Sequence, residues 1–165
     1  MMGMRLAILL LASTLGASAE FRQVTVDLEG VDCAACLESL PGRLERVRGM
    51  ETVGIDVDLR RVTMRLAAGN EVRLAPLLAR LTQGGTKIRR VETVVRGAIT
   101  RQDDKLAFQP AGLAETYRLQ PAENASLLRP QDEVLYEIRG YVSGIEPGAE
   151  PVLEAKSIEA VAAER

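Results

Sequence analysis

The sequence predicts an α+β chain: a strand-helix-strand-strand-helix-strand unit followed by a small antiparallel β-barrel. Three observations lead there. Between residues 24 and 95, short stretches of alternating apolar residues are separated by two stretches with apolar residues at helical spacing. Beyond Arg96 only strand-like runs and turn residues remain. The charge balance changes at the same place, with 13 basic and 11 acidic residues across 20–96 but 7 and 12 across 97–165. The predicted organisation is therefore a leader over 1–19, a first unit over 20–96 and a small β domain over 97–165.

The leader is read from Arg5, the apolar run Leu6-Ala7-Ile8-Leu9-Leu10-Leu11-Ala12 and the small residues ending in Ala17-Ser18-Ala19. A basic start, a short apolar core and an A-x-A site make a secretory signal. The run is too short for a spanning helix, which needs about 20 apolar residues. Export to the periplasm or the medium is expected, and after cleavage the protein is not an integral membrane protein.

In the first unit Val24, Val26 and Leu28 alternate with Thr25 and Asp27, so one face of a strand meets a core, and Gly30 ends it. Leu37, Leu40, Leu44 and Val47 recur at helical spacing up to Gly49. Pro41-Gly42 interrupts that pattern, and an interior proline costs about 3 kcal/mol, so a kink or break is expected there. Val53, Ile55 and Val57, the turn Asp58-Leu59-Arg60-Arg61, and Val62, Met64 and Leu66 make a hairpin. Leu74, Leu77, Leu78 and Leu81 mark a second helix, with Pro76 tolerable in its first turn and Gly84-Gly85 past its end. A closing strand covers 88–95. In the second unit, strands over 94–100 and 106–108 flank Gln102-Asp103-Asp104-Lys105, the first continuing the last strand of the first unit. Further strands are expected over 116–119, 134–142 and 152–158, and closing such a sheet would remove its exposed edges.

Composition excludes several functions. A net charge of −2 offers no basic excess for a phosphate backbone, so no nucleic-acid partner is expected. Histidine is absent, which removes the commonest general base and metal ligand, and no catalytic constellation replaces it. The chain is not read as an enzyme. Its two cysteines, Cys33 and Cys36, lie three positions apart at a strand-to-helix junction. Outside the cytoplasm such a pair is a disulfide, a redox couple or a metal site. Soft thiolates select Cu(I), Hg(II), Cd(II) or Zn(II) over hard cations, and two ligands are too few for a closed structural zinc site. An undercoordinated ion can be handed to a partner.

The loop Gly30-Val31-Asp32-Cys33-Ala34-Ala35-Cys36 and the element order across 24–95 resemble the heavy-metal-associated domain of copper chaperones, periplasmic mercury-binding proteins and metal-pumping P-type ATPases. The resemblance implies a ferredoxin-like βαββαβ fold, with Cys33 and Cys36 as ligands of a transported soft metal ion. Asp-Cys-Ala-Ala-Cys is similar to the form in zinc, cadmium and lead exporting pumps, where the Asp joins the cysteines. By that resemblance Asp32 is the third ligand and tilts the choice towards divalent ions. The implied partners are a membrane metal transporter or a metal-accepting protein. The chain departs from the pattern at Val31, which stands for a Met, and at Gly84-Gly85-Thr86-Lys87, where the family places Tyr, Phe or Lys beside the metal. The strand rhythm of 97–165 is similar to that of OB-like barrels. Two other functions fit a Cys-x-x-Cys: a disulfide-locked interaction module, and a thiol–disulfide oxidoreductase, although no proline between Leu66 and Val95 sits beside the pair as a thioredoxin-type site needs.

Overall fold

The computed structural model describes residues 20–30, 34–83, 85–121, 130–131 and 134–161. The leader over 1–19 lies outside the described residues. Strand β1 (Phe21–Glu29) is followed by two short helices, α1 (Ala34–Glu38) and α2 (Leu40–Leu44), and then by β2 (Met50–Asp56) and β3 (Arg61–Leu66). Helix α3 (Leu74–Thr82) leads into a 16-residue strand, β4 (Lys87–Gln102). The remaining described elements are strands: β5 (Lys105–Pro110), β6 (Tyr117–Pro121), β7 (Leu135–Ser143) and β8 (Val152–Val161). No described helix is long and apolar enough to cross a membrane.

Local chemistry accounts for the element ends. The helical run between the cysteine loop and Gly49 breaks at Ser39, which puts Pro41 in the first turn of α2, where its missing N–H would have no intrahelical acceptor. The β2–β3 turn spans 57–60. It is closed by the Asp56 carboxylate accepting the Leu59 N–H at 2.9 Å and by Arg60 in a left-handed conformation, φ 51°.

The fold class differs from the sequence expectation. Strand makes up 53% of the described residues and helix only 14%, and the architecture is a closed five-stranded barrel plus extra strands. This corrects the α+β assignment of a ferredoxin-like βαββαβ metal-binding domain followed by a small antiparallel, OB-like β-barrel domain. The eight described strands belong to one sheet, in the order β2-β3-β1-β4-β5-β6-β8-β7, closed by an additional β4–β7 pairing. The barrel strands are β4, β5, β6, β8 and β7, and the barrel is not wholly antiparallel, because β6 and β8 run parallel. The physical reason lies in β4. Residues 87–95 pair with β1, 91–97 with β7 and 97–102 with β5, so one strand serves both parts of the sheet, and residue 96 falls inside it. The break at Ser39 also leaves two five-residue helices where the apolar spacing suggested a longer one.

Burial explains how the parts hold together. Directly paired residues of antiparallel strands share a face, so Val24 with Met64, and Val26 with both Val62 and Val91, form one apolar surface. Leu37, Leu40 and Leu44 from the short helices and Leu74, Leu77, Leu78 and Leu81 from α3 join the same buried cluster. That cluster continues into the barrel. Phe21, Val95, Phe108, Tyr117, Val142 and Leu153 surround an interior space too small for water. Phe21 meets Tyr117 edge-to-face at 6.2 Å between centroids, which ties the first strand to the barrel wall. The barrel interior is packed side chain.

Gly97 sits where β4 changes partners, paired with both Pro110 and Tyr136. A Cβ there would lie 2.6 Å from the Phe108 ring and would collide with the Gln109 carbonyl. Gly97→Val is therefore expected to destabilise the protein by about 1–3 kcal/mol through overpacking. Gly42, in α2, has nothing within 4 Å of its missing Cβ, and Gly42→Ala should stabilise by up to about 1 kcal/mol. Urea denaturation of the two variants reads the opposite signs directly.

Candidate functional site

The cysteine loop leaves the sheet where β1 ends. Gly30 adopts φ +70°, a conformation that releases the chain from the strand at little cost only for glycine. Asp32 and Cys33 lie outside the described residues. Cys36 stands on α1 with an exposed side chain, while the next residue, Leu37, is 2% exposed and anchors the helix in the core. The Ser39 hydroxyl donates to the Cys36 carbonyl at 2.8 Å and closes the end of α1. With only five residues, α1 has a small dipole, so it adds little to thiolate stability. Among the described residues no group of three or more His, Cys, Asp or Glu could hold a metal ion.

The surroundings of the loop are set by register. Glu29 pairs with Lys87 at the start of β4, which places Lys87 at the end of the sheet from which the loop departs. The Leu28 N–H donates to the Arg60 carbonyl at 2.8 Å, so the β2–β3 turn lies at this end as well. That turn carries the exposed apolar side chains Val57 and Leu59, which are 42% and 56% accessible. The end of the sheet from which the loop departs therefore presents a lysine and two exposed apolar side chains.

The sequence reading missed a second polar constellation on the opposite face of β1. Asp27 is 3% exposed, and its carboxylate accepts from Arg61 Nε at 2.7 Å and from Arg89 at 3.4 Å. Beside it, Lys156 Nζ reaches Glu92 at 2.9 Å and sits 4.2 Å from the centroid of the Tyr141 ring, with Arg90 5.1 Å from the same ring. Thr25, Asp27, Arg61, Glu92, Tyr141 and Lys156 contribute to the lining of a polar recess of about 250 Å³. The hydrogen bond from Arg61 holds the Asp27 carboxyl below the ordinary carboxylate value, aided by Arg89 and opposed by burial. Tyr141 and Glu92 together raise the Lys156 ammonium above the ordinary lysine value. The only signal in the sequence was the alternation that put Thr25 and Asp27 on the outward face. Alternation says nothing about partners that lie 34 and 62 positions away. The groups in this recess largely satisfy one another, so it is a structural network.

No family profile, curated protein or solved structure matches the chain. The chemistry of the cysteine loop therefore stands on its own residues.

The Asp27 network gives a pH prediction. Because folding lowers the Asp27 pKa, its stabilising contribution is complete above the unfolded carboxylate value near 3.8 and is lost as pH falls through the lower native value. Asp27→Asn should cost about 1.5–3 kcal/mol at pH 7, the worth of hydrogen bonds to a charged group. Urea midpoints of wild type and variant, measured from pH 7 down to pH 2, should converge at the acid end.

Proposed function

We propose that the protein is an exported soft-metal-binding protein that holds one ion through Cys33 and Cys36 and passes it to a partner. The observation that carries this reading is the placement of Cys36: an exposed thiol on the first residues of a helix, three positions after a second cysteine, at the mouth of a loop released by Gly30. Zn(II), Cd(II), Hg(II) and Cu(I) are the ions such a pair selects. The similarity of the loop to that of heavy-metal-associated domains supports the same choice, and Asp32 as a third ligand favours the divalent members.

Two or three protein ligands leave the coordination sphere open. An accepting protein, or a metal transporter at the membrane, can then add its own thiolates before the first pair lets go, so transfer never passes through a bare ion. The exposed Val57 and Leu59 at the same end of the sheet would give that partner an apolar contact. Binding displaces the thiol protons, so affinity should rise with pH until both sulfurs are ionised.

The test uses the full chain, reduced and kept anaerobic. Competition titrations should give one Zn(II), Cd(II), Hg(II) or Cu(I) per chain. Cys33→Ser and Cys36→Ser should each lower affinity by more than the ~10–100-fold that loss of an outer hydrogen-bonding partner costs. Asp32→Ala should weaken Zn(II) and Cd(II) far more than Cu(I), and equal losses would remove Asp32 from the ligand set. Failure of the reduced protein to bind any of these ions, or finding the pair permanently bonded to each other in the native compartment, would sink the proposal.

A further inference from the structure

At the other end of the sheet, beyond the start of β1, a cleft of about 490 Å³ opens between the turn at 47–49, the loop at 67–73 and one side of α3. The nine residues of β1 separate it from the cysteine loop by roughly 25–30 Å. Its backbone frame is fixed by internal bonds. The Asn70 amide donates to the carbonyls of Phe21 at 2.9 Å and Ala67 at 2.7 Å, and its oxygen accepts the Val72 N–H at 3.1 Å. The buried Glu20 carboxylate accepts the Gly69 N–H at 2.6 Å. Gly49, at φ +91°, comes so close that a Cβ would lie 2.8 Å from Asn70 Cβ.

The charged side chains of the cleft are in the opposite condition. Arg48, Arg73 and Arg80 line it, and among the described residues none of them has an ion-pair or hydrogen-bond partner. Elsewhere Arg22 is bonded to Glu20, Arg61 and Arg89 to Asp27, and Arg96 to Glu137, while among the described residues the arginines without a partner outside the cleft, such as Arg43 and Arg65, stand singly on the exposed surface. Glu71 is the one carboxylate among the lining residues. Arg73 and Arg80 are seven positions apart, two turns and roughly 10 Å along the helix, with Pro76 and Leu77 forming the wall between them. Three like charges gathered on a preformed recess repel one another until a counter-charge arrives. Guanidinium groups meet carboxylate and phosphate oxygens through paired N–H donors.

We infer that this cleft binds a small multivalent oxyanion, a polycarboxylate or a phosphorylated compound, through Arg48, Arg73 and Arg80. The site is independent of the cysteine loop. Its spacing calls for an anion with charge at more than one point, so chloride or another monovalent ion fills it poorly.

Calorimetric titration of the metal-free full chain at constant ionic strength, with citrate and with pyrophosphate as probes, tests this. The expected result is saturable one-to-one binding of at least one probe, and the better of the two identifies carboxylate or phosphate as the natural group. Arg73→Gln and Arg80→Gln should each weaken it by about fivefold or more, the loss of a charge-assisted hydrogen bond. Arg43→Gln, an exposed arginine outside the cleft, should leave it within about twofold, since a surface charge away from the site adds only screened attraction. Circular dichroism confirms that the variants are folded. Absence of saturable binding of both probes, or equal binding by the cleft variants and wild type, would overturn the inference.

Discussion

The structure depends on one strand being shared. β4 pairs with β1 over residues 87–95, with β7 over 91–97 and with β5 over 97–102, so its 16 residues supply hydrogen bonds to the open part of the sheet and to the barrel at once. A strand held on both edges must be narrow wherever its partners change, and Gly97 meets that need by having no side chain. Phe21 does the equivalent work inside, entering the barrel's apolar interior from the first strand. The consequence is cooperative: the open part of the sheet, the helices and the barrel share one continuous buried cluster.

This sharing places three chemically distinct regions around β1. The cysteine loop emerges at its C-terminal end, the arginine-lined cleft lies beyond its N-terminal end, and the Asp27 network occupies its outward face. The network binds Arg61 and Arg89 into the sheet, and Lys156 joins β8 to β4 through Glu92 across Tyr141. Opposite charges on neighbouring strands are held in partial burial, so the sheet is braced on the side that carries no helices. The cleft is different because, among the described residues, its arginines have no such counterparts.

Element positions were largely legible in the sequence. Alternation located the strands around Val24, Val62 and Ile138, helical spacing located α3, and the break beside Pro41 followed from the ring's missing N–H. The class built from those elements was not legible. Counting helices by apolar spacing overstated them, because Leu37, Leu40 and Leu44 keep helical spacing across a chain that turns at Ser39. Of the aromatic residues of 97–165, Phe108, Tyr117 and Tyr136 are buried while Tyr141 lines the outward recess, and Phe21 joins the barrel core from 87 positions before Phe108, which no local pattern shows.

By itself, then, the sequence determined the local grammar: which stretches extend, where glycine and proline interrupt, and that two cysteines lie three residues apart. Those are properties of near neighbours along the chain, and backbone sterics and side-chain period fix them. Tertiary structure alone decided that one strand would be common to the sheet and the barrel, that Asp27 would find Arg61 and Arg89, and that Arg48, Arg73 and Arg80 would line one cleft. The shared strand and the Asp27 network join residues far apart in sequence, and the cleft sets Arg48 beside one side of α3; register and burial, fixed together in the folded sheet, decide all three.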